Sequence, residues 1–350
     1  MNISIIGAAG GVGRELTISI IEETIMDKNE CLQLIGRKGS KSDQKLHGLK
    51  MDIFDSFAEI MPEIEISNTP DEVRGDIIIM VAGEPLHLST EYNIIDRDKL
   101  AEKNIDLFYT FAESIANNAP EAIVIIITNP VELGVHIFSK FLPRFQVIGM
   151  GAFIETLRFR REIAVEFNVR RQHVQGFVLG EHGLGFTPIW SSVKVYGEDK
   201  ESCNKKLKSF YERQHKSDPT AHWQKLVHCL MKGKVDDICA TLSKFTPDER
   251  AFLSPFISNY TETHALAGAS GAAMRLIRSI KSSNETLSAC QFKVEGEFLD
   301  IHGVIGVPVI ICNKGILCVE PMDDLWDNEK VLLRKCADNI NKKLAKWDNR

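Results

Sequence analysis

Asn2-Ile3-Ser4-Ile5-Ile6-Gly7-Ala8-Ala9-Gly10-Gly11-Val12-Gly13-Arg14 opens the chain and decides its fold. Asn2 to Ile6 is a β-branched run with no helical period, which predicts a buried strand. Arg14 to Ile21 continues as an apolar helix. Strand, glycine loop and helix together form the context of a phosphate-binding fingerprint, here spaced G-x-x-G-x-x-G. Gly7 permits the tight turn, Gly10 the approach of backbone to a pyrophosphate, and Gly13 the close packing of helix on strand. The helix N-terminus, at Gly11 and Val12, would turn free N–H groups and a positive dipole end toward the phosphates. A glycine turn without a ligand is the alternative. The regular strand–helix alternation that follows favours a bound dinucleotide.

The second strand, Cys31 to Ile35, ends where an acidic residue normally binds the adenosine ribose hydroxyls. Gly36 stands there, followed by Arg37, Lys38, Gly39 and Ser40. Loss of a carboxylate beside gain of two cations and a hydroxyl suits a ribose carrying a 2′-phosphate, so NADP is expected ahead of NAD. Further buried strands are predicted over 76–83, ending in Ala82-Gly83, and over 122–127, ending in Thr128-Asn129-Pro130. The second of these is apolar throughout, as a sheet covered on both faces requires. Helices are expected over 46–58, 97–117, 153–167 and 327–347, with a polar helical stretch from about 199 to 260. Strands are expected over 174–179, 287–294, 304–312 and 315–320, and Gln146 to Gly149 closes the first half. Together these predict an α/β chain: a Rossmann doubly wound parallel sheet over 1–150, then an α+β substrate-binding domain over 151–350.

Bulk composition narrows the function. The chain has 350 residues, 44% hydrophobic and 26% charged, with a net charge of −6, so nucleic acid is not an expected partner. Its eight cysteines are scattered without a C-x-x-C pair, which fits reduced thiols better than a disulfide framework or a metal site. No apolar run reaches membrane-spanning length, and a cytoplasmic location is expected.

Six landmarks in order resemble the lactate/malate dehydrogenase family along nearly the whole chain. They are the glycine loop at 7–13, Val81-Ala82-Gly83, Ile127-Thr128-Asn129-Pro130-Val131, Leu157-Arg158-Phe159-Arg160, Leu179-Gly180-Glu181-His182-Gly183 and Ile305-Gly306-Val307-Pro308-Val309. The turn at Leu34-Ile35-Gly36-Arg37 and the stretch Val294 to Phe298 look most like archaeal-type NAD(P)-dependent malate dehydrogenases. His182-Gly183 running on to Thr187-Pro188-Ile189-Trp190-Ser191 looks more like lactate dehydrogenase.

The resemblance implies hydride transfer between a nicotinamide and a 2-hydroxy or 2-oxo acid, malate ahead of lactate, in a homodimer or homotetramer. It implies His182 as acid–base, with an imidazole pKa close to working pH. Arg158 would grip the substrate carboxylate through its guanidinium fork, with Arg160 in a structural role. Arg97 would polarise the substrate carbonyl when a lid closes. Asn129 would meet nicotinamide and substrate. Departures accompany these matches. Glu155 stands where the family holds the histidine with aspartate, and Leu184 where aspartate usually follows His-Gly. The lid between Gly83 and Arg97 is longer by about five residues and has no arginine, so His87 is its candidate cation for a second carboxylate. A catalytically weakened NADP-binding sensor or scaffold on the same fold is the rival reading. A metal-using glycosidase of related fold is discounted, because no cysteine lies near Thr128-Asn129-Pro130.

Overall fold

The computed structural model describes residues 1–84, 97–183, 185–214, 232, 235–260, 265–282 and 284–348. The first half alternates β1 (Ile3–Ile6), α1 (Gly11–Glu22), β2 (Cys31–Ile35), α2 (Lys41–Phe57), β3 (Glu63–Ser67), β4 (Ile77–Met80), α3 (Arg97–Asn118), β5 (Ile123–Ile126), α4 (Val131–Phe141) and β6 (Val147–Gly149). These strands pair in the order β3-β2-β1-β4-β5-β6, all parallel. Every residue of β1, β4 and β5 is buried, the consequence of helices on both sheet faces. The order reverses between β1 and β4, and this is the place where open α/β sheets bind ligands. A Cβ at Gly7 would lie 2.6 Å from the Ala82 backbone, and one at Gly13 would lie 2.4 Å from the Gly7 carbonyl oxygen. Glycine at these two positions is therefore what lets β1, its loop and α1 sit beside the end of β4.

The second half contributes α5 (Gly151–Phe167), β7 (Val174–Gly180), β8 (Phe186–Val195), α6 (Lys200–Gln214), α7 (Val235–Leu242), α8 (Pro247–Tyr260), α9 (Leu266–Lys281), β9 (Thr286–Glu295), β10 (His302–Cys312), β11 (Gly315–Val319) and α10 (Asp327–Trp347). Its strands extend the same sheet in antiparallel fashion, β6-β9-β10-β7-β8, with β11 on β10. The junctions are narrow. Gly149 pairs with Gln291 and Gly306 with Gly180, and a Cβ at Gly306 would lie 2.7 Å from the Gly180 carbonyl oxygen. Helix α9 packs back onto α1. Among the described residues no helix is long and apolar enough to cross a membrane.

Two strands and two helices lie outside the sequence expectations. β3 alternates Glu63-Ile64-Glu65-Ile66 as a strand at the sheet's end does, and β8 carries Pro188, which an edge strand tolerates. Helix α4 begins immediately after Asn129-Pro130, and helix α9 after Ala265, whose φ is +51.

Helix α8 is fastened to α5 by Arg250, whose Nε and Nη2 donate at 2.7 Å to Glu162 and Glu166. In the first turn of α8, burial pushes the Asp248 carboxyl up to about 6, and its Oδ1 has no hydrogen bond. A rise of that size from the usual carboxylate range is worth about 3 kcal/mol against the ionised form. Its folded pKa lies above the unfolded one, so the protonated carboxyl gives full stability below about pH 4, and this is lost as pH rises through 6. Asp248→Asn is therefore expected to raise Tm at pH 8 and to give no gain at pH 4, as read by calorimetry at the two pH values.

Candidate active site

One cavity of about 580 Å³ runs from the glycine loop, past the ends of β4 and β5, to the turn between β7 and β8. Its lining contains Gly10, Gly11, Val12, Gly13, Gly83, Asn129, Arg97, Glu155, Arg158 and His182. The fold thus collects residues spread over 173 positions of sequence, from Gly10 to His182, around one space.

The cofactor end is built from backbone. Helix α1 starts at an extended Gly10 with no side-chain cap and no acidic residue in its first turn. The N–H groups of its first turn precede any intrahelical acceptor, so they fit a pyrophosphate. Thr128 Oγ1 bonds the carbonyls of Met80 and Ala82 at 3.1 and 2.6 Å, which closes the ends of β4 and β5 together. Asn104, missed in the sequence, is fully buried. Its amide accepts from Glu84 N at 2.9 Å and donates to the Asn129 carbonyl at 2.7 Å, and so positions both the lid's first residue and Asn129.

Just beyond β2, Arg37 and Lys38 are exposed. The Ser40 hydroxyl is engaged locally: it caps α2 by accepting from Ser42 N at 3.2 Å and donates to the Arg37 carbonyl at 2.7 Å. Ser42 Oγ accepts from Arg37 N at 3.0 Å. A Cβ at Gly36 would lie 2.7 Å from Leu46 Cδ1, a methyl at the end of a flexible side chain.

The turn after β7 carries His182, with Nδ1 2.9 Å from Glu155 Oε1. The two groups are in ion-pair range without the alignment of a hydrogen bond, and Glu155 Oε2 is buried with no partner. Glu155 Oε1 also accepts from Gly183 N at 2.7 Å. His182 N donates to Glu132 Oε1 at 2.6 Å. The guanidinium of Arg97 donates to the His182 carbonyl and lies 3.2 Å from Glu181 and 3.7 Å from Glu132. Lys343, half-buried, completes this group, 2.6 and 2.8 Å from the two Glu181 oxygens. Gly183 has φ +86, and a Cβ there would lie 2.3 Å from Arg97 Nη2, so the turn requires glycine.

Burial raises the Glu132 pKa, and Arg97 opposes that rise. Arg158 is pulled down to about 10, chiefly by burial, and stays cationic near neutrality. Among the described residues it has no carboxylate within salt-bridge distance. Arg160 is turned elsewhere, as its structural role required: it donates to the Gly176 carbonyl at 2.7 Å and stacks over Phe177.

The geometry therefore gathers His182, Glu155, Arg158, Arg97, Asn129 and the glycine loop. It directs Arg97 toward Glu181 and Glu132, and carbonyl polarisation would require that side chain to part from both. His87 and Leu184 lie outside the described residues. Glu132, Lys343 and Asn104 carry no motif signature, and only their partners in the fold mark them.

Residues 1–149 match the lactate/malate dehydrogenase NAD-binding domain. The chain is similar to the lactate/malate dehydrogenase family, over its first 149 residues by that match and over nearly its full length by the relatives that follow. It is 28% identical over 348 residues to the malate dehydrogenase of Methanothermobacter thermautotrophicus, covering 97% of this chain and 95% of that one. It is 29% identical over 351 residues to the L-2-hydroxycarboxylate dehydrogenase (NAD(P)(+)) of Methanocaldococcus jannaschii, covering 98% and 97%. The fold matches the lactate dehydrogenase of Cryptosporidium parvum, solved with lactic acid and nicotinamide adenine dinucleotide, with a TM-score of 0.75 at 23% identity over 100% of this chain and 98% of that one.

Proposed function

We propose that this protein is an NAD(P)-dependent 2-hydroxyacid dehydrogenase of the malate/lactate type, interconverting a 2-hydroxy acid with the corresponding 2-oxo acid. The observation that carries the reading is the convergence of His182, backed by Glu155, and the unpaired Arg158 on the cavity that begins at the uncapped glycine loop. Residues 1–150 serve as the dinucleotide-binding domain and 151–350 as the substrate domain of a homodimer or homotetramer. The uncapped first turn of α1, with Gly83 and Asn129, would hold the dinucleotide, which supplies hydride exchange at its nicotinamide ring. Arg158 binds the substrate carboxylate, so that the carbon bearing the oxygen is presented in one orientation. His182 moves the proton through Nε2, because Nδ1 faces Glu155. Glu155 favours the Nδ1–H tautomer and stabilises the imidazolium.

A second reading, a weakened cofactor-binding sensor, is favoured by one observation: Glu155 Oε2 is buried without a partner and the Glu155–His182 contact is misaligned. The two readings separate on one variant. His182→Asn is expected to lower kcat at least ~100-fold with cofactor affinity nearly unchanged. Steady-state kinetics and fluorescence titration with NADH and NADPH measure the two quantities. Turnover surviving the change would remove His182 from the mechanism, and no turnover in the wild type would favour the sensor.

The NADP preference rests on Arg37 and Lys38, exposed beside a Gly36 that offers no carboxylate. One charge-assisted contact of about 1.5–3 kcal/mol corresponds to a roughly ten- to hundred-fold preference for NADPH, weakening with salt. Gly36→Asp with Arg37→Ile should reverse the preference, given that Leu46 can move its terminal methyl aside. Equal kcat/KM for the two cofactors in the wild type would make Arg37-Lys38 an ordinary surface turn.

A further inference from the structure

The wall of the active cavity opposite the glycine loop is aromatic. Helix α8 presents Ala251, Phe252, Pro255 and Phe256 to the space, residues at the i, i+1, i+4, i+5 spacing of one helix face. Phe186, four residues after His182 on the same turn, closes the gap between that turn and α8. The Phe186 and Phe252 ring centroids are 6.0 Å apart, and those of Phe252 and Phe256 are 5.4 Å apart with the rings edge to face. Arg250 ties α8 to Glu162 and Glu166 of α5, the helix that carries Arg158 and Glu155, so the aromatic wall and the carboxylate-binding arginine share one support.

Charge on the cavity lining tells the complementary story. Among the described lining residues the permanent cations are Arg97 and Arg158. Arg97 is already paired with Glu181 and bonded to the His182 carbonyl. Arg158 remains for a ligand, which provides for one carboxylate. Arg161, Arg171 and Arg275 line a second cavity of about 530 Å³, which shares Ile154, Arg158, Pro255, Ala265 and Leu266 with the first; none of these three arginines lines the aromatic space itself. A dicarboxylate would set its distal anion against phenylalanine rings, and burying a carboxylate there without a cation is costly. An apolar substrate side chain instead gains contact with three rings in favourable aromatic geometry.

We propose that the substrate is a 2-oxo monocarboxylate with a bulky apolar or aromatic side chain, seated against Phe186, Phe252 and Phe256 with its carboxylate on Arg158. This rests on the dehydrogenase reading above and names the substrate class of that site. In the reductive direction the C2 carbonyl takes a hydride from the reduced dinucleotide and a proton from His182. The products are the 2-hydroxy acid and the oxidised cofactor.

The test is reduction of pyruvate, oxaloacetate, 4-methyl-2-oxopentanoate and phenylpyruvate by the full chain with NADH and with NADPH. Phenylpyruvate or 4-methyl-2-oxopentanoate is expected to exceed oxaloacetate in kcat/KM by at least about tenfold, the discrimination a fitted apolar pocket provides. Phe252→Ala should cut the phenylpyruvate-to-pyruvate ratio about tenfold. Should that variant fail to fold, the wild-type ranking decides alone. Oxaloacetate or pyruvate ranking first would overturn the inference and leave the dehydrogenase reading in place. Reduction of none of the four would overturn both.

Discussion

The backbone of His182 and Gly183 is held at three points, and the chemistry of the cavity depends on that grip. Glu132 accepts the His182 N–H, Glu155 accepts the Gly183 N–H, and Arg97 donates to the His182 carbonyl. The three come from the N-terminal halves of α4, α5 and α3, helices that are the next described after β5, β6 and β4. Each is a charged side chain almost removed from water, which is costly unless opposite charges neutralise it. Arg97 and Lys343 do so for Glu181, and Arg97 lies 3.7 Å from Glu132. Removing one partner from such a group typically costs about 3–5 kcal/mol, because a buried charge is left uncompensated. Position of the histidine is thus a property of four helices at once.

That grip is possible only because a single sheet passes from the parallel half into the antiparallel half. Gly149 meeting Gln291 joins β6 to β9, and Gly306 meeting Gly180 brings β7 beside β10. Both crossings are made at glycine, where a side chain would hold the strands apart. Gln291 adds a further tie, accepting from Ala152 N at 2.9 Å at the start of α5. The His182 turn at the end of β7 is therefore delivered to the cavity at the carboxyl ends of β4 and β5. Helix α8 enters this frame through Arg250, which sets the aromatic wall relative to Arg158.

Much of this was legible in the sequence. Strand runs without polar positions, such as Ile123 to Ile126, can only sit in a sheet covered on both faces, and the glycine loop told which strand begins it. The six family landmarks marked His182, Arg158 and Glu155, which the fold brings together around one cavity. What stayed hidden depended on three-dimensional company. Glu132 is an ordinary acid after Pro-Val in the sequence, and it gains its role when the fold brings the turn after β7 to the start of α4. Lys343 lies on the amphipathic last helix like any other basic residue of its polar face. The direction of Arg97 was not readable from its place at a helix start, since its acidic partners are 35 and 84 positions away. Phe252 and Phe256 carry no motif, and their place on the cavity wall depends on the Arg250 fastening.

The central claim is that Glu155, itself fixed by Gly183, holds the imidazole with its proton on Nδ1 and leaves Nε2 for the substrate. The most direct measurement is the pair of imidazole nitrogen chemical shifts of His182 in protein labelled with ¹⁵N at histidine, followed through its titration, with His182→Asn for assignment. The account predicts that neutral His182 carries its proton on Nδ1, and that Glu155→Gln shifts the population toward the other tautomer. A neutral His182 protonated on Nε2 and indifferent to Glu155→Gln would contradict it.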